Sequence, residues 1–364
     1  AGTGFAVRAD PWLQWRGLED GLNRAFAGLA RAPSQWRVRS HVLDGTGWIV
    51  ELKAGDVEAR CIDGAVVAVS GGDARYGAGL RLLVALGAGW SGVPKRTAVV
   101  TPALPETCEG MRTLMPESSF ERLDPWRRGN EERYDLIICG PGPLSSRAEP
   151  LRIMSVEGLR LLRARLREGG ALALWFPAGY VAGATLGSGM ATVAKVFPDF
   201  KVFLAGSEAV FVAGKGASAA FEDLEALFQR QAAEQWLREG GIWGPLDLLT
   251  PYAGTAGEMI SVYGASRAYR VSRPMRPPAL ARDLRVKTRA LPLAMLAQHR
   301  LAGTEALLSD LQFSSGNQRY VALQGFDNIY WDATARILES IGRVRGPQRN
   351  ALVRFLSDGR ARLD

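Results

Sequence analysis

Catalytic side chains in α/β proteins lie where buried strands end, and two predicted strand ends are informative in this chain. The apolar run Tyr134–Cys139 leads directly into residues 140–143, Gly-Pro-Gly-Pro. Parallel sheets present their reactive groups at this edge, but glycine and proline have neither a base nor a nucleophile in their side chains. An earlier run over residues 97–100 leads into residues 101–105, Thr-Pro-Ala-Leu-Pro, in which the two prolines lack a backbone N–H. Neither turn therefore has an evident catalytic group.

Histidine and cysteine, the usual residues of metal and nucleophile sites, are few and scattered. The chain has two histidines, His41 and His299, which are far apart in sequence. Its three cysteines, Cys61, Cys108 and Cys139, follow neither a metal-ligand spacing nor a disulfide framework. We therefore expect no metal site and no Ser-His-Asp triad.

The elements around residue 140 form a strand, a helix and a second strand. After Tyr134–Cys139, residues 156–166 have the apolar periodicity of an amphipathic helix. The sequence Arg-Glu-Gly-Gly at residues 167–170 is typical of a turn, and a second apolar run follows over residues 171–176. This order predicts a parallel sheet.

These segments resemble the spermidine synthase (polyamine aminopropyltransferase) family, and most closely the bacterial spermidine synthase-like proteins that are often fused to membrane segments. Residues 47–69 resemble the N-terminal β-hairpins of the family, and Asp73-Ala74-Arg75-Tyr76 resembles its acidic-plus-tyrosine motif. The other matching segments are residues 133–138, 159–166, 169–174 and 193–211. The resemblance implies a Rossmann-like sheet of the S-adenosylmethionine-dependent methyltransferase type, preceded by a β-hairpin subdomain.

The resemblance also implies the positions of a cofactor and a catalytic base. Family members bind a nucleoside cofactor with a glycine-rich turn after the first strand and hold its ribose with an acid at the tip of the next strand. A catalytic aspartate is implied at the end of Tyr134–Cys139, where this chain has Gly140 instead. The remaining candidates for cofactor binding are Asp73, Tyr76 and Asp124, the last where the family places an aspartate near the adenine. Each of the three also suits a capping or turn-forming role.

The spacing of the strands predicts that part of the family pattern is missing. About thirty residues separate the strand at 97–100 from Tyr134. This length accommodates one helix, Pro105–Leu114, and one short strand, Ser119–Leu123. We therefore expect one strand and one helix of the family pattern to be absent.

The chain is predicted to have four parts. They are an N-terminal helical segment at 1–40, a β-hairpin subdomain with the first helix at 41–96, the synthase-like α/β domain at 97–215, and a mostly helical region at 216–364. A chain of 364 residues with 47% hydrophobic residues is long enough for two domains with filled cores. Residues 169–194 have no charge, but their glycines and Pro177 favour a buried strand and helix over a membrane span.

Positive charge is concentrated in one linker at residues 265–300. This basic linker has nine arginines and lysines against one acid, Asp283, a net charge of +8 that equals the formal charge of the whole chain. The first four arginines recur at every third residue beside prolines, so a polyproline-type conformation would align them on one side. The residues that we expect to bind an anionic partner are Arg267, Arg270, Arg273, Arg276, Arg282, Arg285, Lys287 and Arg289. The alternative is a solvated linker without a partner.

Three functions are consistent with these features. The favoured hypothesis is a catalytically degenerate synthase-like scaffold that needs no cofactor and serves as a subunit of a larger assembly, with protein partners bound through the basic linker and the helical C-terminal region. The second is a working aminopropyltransferase or methyltransferase that uses decarboxylated S-adenosylmethionine or S-adenosylmethionine.

The third hypothesis is a module that binds an anionic polymer. A membrane surface is one anionic partner, whereas nucleic acid is less favoured because only Tyr263 and Tyr269 supply aromatic rings near the arginines. The compartment is not fixed by the sequence. The start at Ala1 leaves a removed leader or a membrane tether open.

Overall fold

The computed structural model describes the central part of the chain. The described residues are 37–44, 47–54, 57–62, 65–70, 78–100, 105–127, 132–140, 152–176, 183–205, 208–215, 219–249, 251–263, 266–272, 311 and 315. The candidates Asp73 and Tyr76 lie outside the described residues, as do the basic linker beyond residue 272 and most of the predicted N-terminal helical segment. Among the described residues, no helix has both the length and the apolar character needed to cross a membrane.

The first sheet has four antiparallel strands in chain order. The strands are β1 (Arg37–Asp44), β2 (Gly47–Ala54), β3 (Val57–Ile62) and β4 (Ala65–Ser70). Neighbouring strands pair as hairpins with two residues between them, and Asp44 is the register partner of Gly47, Ala54 of Val57 and Ile62 of Ala65. The predicted β-hairpin subdomain is therefore present. It begins at Arg37, within the first 40 residues, which were predicted to be helical.

The second sheet, here called the main sheet, has seven strands. In chain order they are β5 (Arg96–Val100), β6 (Ser119–Leu123), β7 (Tyr134–Cys139), β8 (Leu166–Phe176), β9 (Lys201–Ala205), β10 (Glu208–Gly214) and β11 (Tyr252–Thr255). Their order across the sheet is β11-β9-β10-β8-β7-β5-β6. The strands β6, β5, β7 and β8 are parallel, whereas β10 is antiparallel to both β8 and β9, and β11 is antiparallel to β9.

Eight described helices accompany the two sheets. They are α1 (Ala78–Trp90), α2 (Pro105–Leu114), α3 (Val156–Arg165), α4 (Gly183–Ala194), α5 (Phe221–Ala226), α6 (Gln231–Arg238), α7 (Pro245–Leu249) and α8 (Ala256–Tyr263). Side chains of the main sheet alternate between two hydrophobic clusters because successive strand residues point to opposite faces. One cluster joins Leu136 and Ile138 of β7 to α1, α2 and α5–α7. The other joins Ile137 and Cys139 to α3, α4 and α8.

The strand order and the strand directions identify a Rossmann-like sheet of the S-adenosylmethionine-dependent methyltransferase type, as predicted. The strand β6 is the outermost described strand on its side of the sheet and is the direct parallel neighbour of β5.

Two details differ from the sequence-based prediction. The strand β8 begins at Leu166, immediately after α3, so the predicted turn at 167–170 is part of a strand. The backbone of Gly169 and Gly170 pairs there with Lys215 beyond the end of β10, at N···O distances of 2.8 and 2.9 Å. The strand β11 joins the main sheet although it lies beyond the predicted domain boundary at residue 215. Its Tyr252 is fully buried, with its ring centroid 5.6 Å from that of Phe203 in β9.

Candidate functional site

The parallel strands of the main sheet end level with one another. In the hydrogen-bonded register, Val100 at the end of β5 is the partner of both Leu123 in β6 and Cys139 in β7. Cys139 is in turn the partner of Leu174 in β8. In open α/β sheets, ligands bind outside these carboxyl ends of the strands. We call this margin the carboxyl edge, and it is the candidate site.

At the end of β7, the described residues offer no side chain that could act as a base or a nucleophile near neutral pH. Cys139 is buried, and this burial raises the pKa of its thiol to about 12. The thiol therefore stays protonated at neutral pH and is a poor nucleophile. The next residue is Gly140, which has no side chain. Among the described residues, no group of three His, Cys, Asp or Glu side chains is placed to hold a metal ion.

A buried hydroxyl lies beside Gly140. Thr107, in the first turn of α2, is fully buried, and its Oγ1 has no hydrogen-bond partner among the described residues. This oxygen is 3.9 Å from the point where a Cβ on Gly140 would stand. A buried polar atom without a partner is uncommon in native proteins, and the first turn of a helix also has free backbone N–H groups. Thr107 and Gly140 therefore mark a place at the carboxyl edge where a polar group could be held.

Asp124 follows β6 at the same edge. It is exposed, its carboxylate accepts a hydrogen bond from the backbone N–H of Trp126 at 2.9 Å, and its carbonyl accepts one from Arg127 at 3.2 Å. These contacts form a tight turn, which is the structural role considered for this residue. Because β6 is the neighbour of β5, Asp124 lies at the tip of the strand next to the first one. A role of Asp124 in binding a cofactor stays a prediction.

Trp126 and Arg152 stack beside this turn. The guanidinium carbon of Arg152 lies 4.1 Å from the centroid of the Trp126 ring. The indole Nε1 of Trp126 is buried and finds no hydrogen-bond partner in the part of the chain that the structure describes. Thr107 Oγ1 and Trp126 Nε1 are thus two of the buried polar atoms for which the described residues supply no hydrogen-bond partner. Neither was predicted, because the sequence does not show that a hydroxyl or an indole nitrogen lacks a partner.

Of the predicted anion-binding residues, the structure describes Arg267 and Arg270. They lie in residues 266–272, here called the docked segment because its backbone is held on α3 and α4. The N–H of Tyr269 donates to Thr192 Oγ1 at 2.8 Å, and the N–H of Val156 donates to the Tyr269 carbonyl at 3.0 Å. The remaining predicted residues, Arg273, Arg276, Arg282, Arg285, Lys287 and Arg289, lie outside the described residues.

A carboxylate at the start of α3 completes this docking. Glu157 accepts a hydrogen bond from the N–H of Val271 at 3.0 Å, and its Oε1 lies 3.9 Å from the guanidinium of Arg270. Burial raises the pKa of the Glu157 carboxyl, but backbone hydrogen bonds from its own N–H and that of Val271, with the charges of Arg270 and Arg160, hold it below its ordinary value. The docking was not predicted, because residues distant in sequence provide all of its partners.

Comparison with models of known protein families finds no match, and no curated protein is detectably similar to the chain. Several solved structures are similar. A spermidine synthase from Thermotoga maritima has 12% sequence identity and a TM-score of 0.41, over 56% of this chain and 88% of the other. A probable spermidine synthase from Corynebacterium glutamicum has 12% identity and a TM-score of 0.39, over 64% and 95%.

A third similar structure is a spermidine synthase in complex with the transition-state analogue AdoDATO. It has 13% identity and a TM-score of 0.37, over 50% of this chain and 73% of the other. These likenesses concern the fold. The order and directions of the strands in the main sheet assign the Rossmann-like, methyltransferase-type class independently of the scores.

Proposed function

We propose that the protein is a spermidine synthase-like scaffold without transfer activity, which serves as an accessory subunit of a larger assembly. The observation that supports this most directly is the end of β7, occupied by the buried Cys139 and by Gly140. In aminopropyl transfer, an amine nitrogen attacks the carbon beside a sulfonium, the carbon–sulfur bond breaks to leave methylthioadenosine, and a base accepts the amine proton. A carboxylate at this position would serve as that base. A protonated thiol and a glycine do not.

The charge near the carboxyl edge supports the same proposal. Because α3 ends at Arg165, where β8 begins, its first turn lies toward the opposite edge, which is the carboxyl edge. The docked segment contacts that first turn through Tyr269 and Val271 and places the exposed Arg270 beside Glu157, and the exposed Arg152 lies on Trp126, which follows the end of β6. A polyamine acceptor is a polycation, and this local charge would repel it.

An activity assay tests the proposal. Purified protein is incubated with decarboxylated S-adenosylmethionine and di- or polyamines, and separately with S-adenosylmethionine, and the release of methylthioadenosine or S-adenosylhomocysteine is measured. We expect no product above a protein-free blank. Product formation that falls in both Thr107→Val and Asp124→Ala would contradict the proposal, because it would originate at the carboxyl edge.

One observation favours a second candidate function, that of a working transferase. Thr107 Oγ1 and Trp126 Nε1 are buried without partners at the carboxyl edge, and a bound nucleoside could satisfy both. On this alternative, an adenosyl ligand at one hundred times its dissociation constant would stabilise the folded protein by about 2.7 kcal/mol. Thr107→Val, which removes the hydroxyl at nearly constant volume, would then reduce the stabilisation measured by thermal unfolding.

A further inference from the structure

The solvent-facing side of α3 has two exposed arginines one turn apart. Arg160 and Arg163 are exposed, whereas Leu159 and Leu162, each immediately before one of them in sequence, are fully buried against the main sheet. Residues three apart on a helix are neighbours on its surface. No hydrogen bond or ion pair engages the guanidinium of Arg160 or Arg163 in the part of the chain that the structure describes. The charge of Arg160 acts on the Glu157 carboxylate, and both guanidinium groups lie on the exposed side of the helix.

The docked segment extends this positive surface beyond the first turn of α3. Its backbone is held by the hydrogen bonds of Tyr269 to Thr192 and of Val271 to Glu157, at 2.8 and 3.0 Å. Arg267 is exposed, and the side chain of Arg270 is 62% exposed. The backbone that carries these two arginines is thus held next to the helix. This lowers the conformational entropy that is lost when the arginines bind a partner.

We define the α3 surface as Arg160, Arg163, Arg267 and Arg270, with Glu157 among them. The four arginines outnumber the one carboxylate of this surface, which already accepts the N–H of Val271 and is acted on by the charges of Arg270 and Arg160. Val271, 40% exposed, adds an apolar side chain within the charged rim. A small apolar contact surrounded by charged groups is a common composition of protein interfaces.

We propose that the α3 surface is a docking site for an acidic segment of a partner protein, a proposal that rests on the accessory role proposed above. Guanidinium groups bind carboxylates through paired hydrogen bonds, so a glutamate- or aspartate-rich segment complements this surface. Base stacking is not favoured, since the Tyr269 hydroxyl points toward the Thr185 carbonyl, 3.5 Å away. Insertion into a bilayer is not favoured either, because the apolar side of α3 is buried against the main sheet.

The test uses the full chain and a fluorescent glutamate-rich peptide as the probe, with binding followed by fluorescence anisotropy at several salt concentrations. Two double reversals are compared, Arg160→Glu with Arg163→Glu, and Arg267→Glu with Arg270→Glu. The matched control is Arg112→Glu, because Arg112 is exposed at the end of α2, on the opposite face of the main sheet. Thermal unfolding establishes that every variant is folded.

We expect the wild type and Arg112→Glu to bind the peptide with equal affinity that falls as salt rises. Each double reversal should weaken binding by about tenfold or more, the equivalent of about 1.4 kcal/mol. Unchanged binding in either reversal would overturn the proposal. Tighter binding to phosphatidylglycerol vesicles or to an oligothymidylate than to the peptide would also overturn it and would assign the surface to lipid or to nucleic acid. Adenosyl-ligand binding is measured separately, so failure here is distinguishable from failure of the proposed function.

Discussion

At the scale of single residues, Cys139 shows how burial removes reactivity from the position where β7 ends. Because its pKa is raised to about 12 by desolvation, almost none of its thiol is ionised near neutral pH. We expect iodoacetamide to leave Cys139 unmodified in the folded protein at about pH 8 and to modify the half-buried Cys108 faster. Peptide mass spectrometry measures both, with protein unfolded in urea as the control. Rapid labelling of Cys139 in the folded protein would mean that the carboxyl edge is open to solvent at this thiol.

Glu157 gives a pH-dependent prediction at the same scale. Its pKa is lower in the folded protein than the ordinary 4.5, because hydrogen bonds and the neighbouring arginines outweigh the opposing effect of burial. The ionised carboxyl therefore contributes stability above the ordinary pKa, and this contribution disappears as the pH falls through the lowered pKa. We expect Glu157→Gln to be less stable than the wild type at neutral pH, with the difference shrinking toward zero in acid. Urea unfolding at a series of pH values measures it, and a difference that grew in acid would contradict the assignment.

At the scale of elements, the contact between α2 and α6 depends on a glycine. A Cβ on Gly110 would overlap the Trp236 ring, which lies across α2. We expect Gly110→Ala to destabilise the protein by about 1–3 kcal/mol, because overpacking outweighs the better helix propensity of alanine.

The matched control is Gly257→Ala in α8, where the space around the glycine is open. There the same substitution should stabilise the protein by up to about 1 kcal/mol. Chemical denaturation measures both changes. Equal effects at the two positions would show that Trp236 does not pack on α2 in the way described.

The elements that could be predicted from sequence are those with a strong local pattern. The strands β7 and β8 and the helix α3 are apolar runs of ordinary length, and the hairpins have clear turn residues. The strand β11 has only four residues and includes a glycine, so it has no strong local pattern. It lies in the sheet where Tyr252 packs against Phe203. The docked segment was not predictable because its partners, among them Thr192 and Val156, are distant in sequence.

The candidate site was predictable only in part for the same reason. The turn that the sequence predicts after Cys139 identified the edge of the sheet at which ligands bind. The sequence alone also predicted that Gly140 follows the end of the strand. The turn at Asp124 is local, since its carboxylate accepts from Trp126 two residues further on, whereas the burial of Thr107 Oγ1 depends on tertiary packing, which a single sequence does not report.

At the scale of the whole molecule, the main sheet has two distinct helical faces. The face with α1, α2 and α5–α7 is a continuous hydrophobic core that extends into the C-terminal region. The other face has α3 and α4, with the docked segment and its arginines laid over them. The carboxyl edge and the α3 surface meet at the first turn of α3, so a partner bound at the α3 surface would lie beside the place where a cofactor would otherwise enter.

A calorimetric titration of the purified protein with S-adenosylmethionine, its decarboxylated form and methylthioadenosine tests most directly the proposal that the protein is a scaffold without a cofactor. We expect no binding heat for any of the three at millimolar concentration. Micromolar binding of any of them, weakened in Thr107→Val, would contradict the account and would make the protein a transferase candidate whose nucleoside site is still functional.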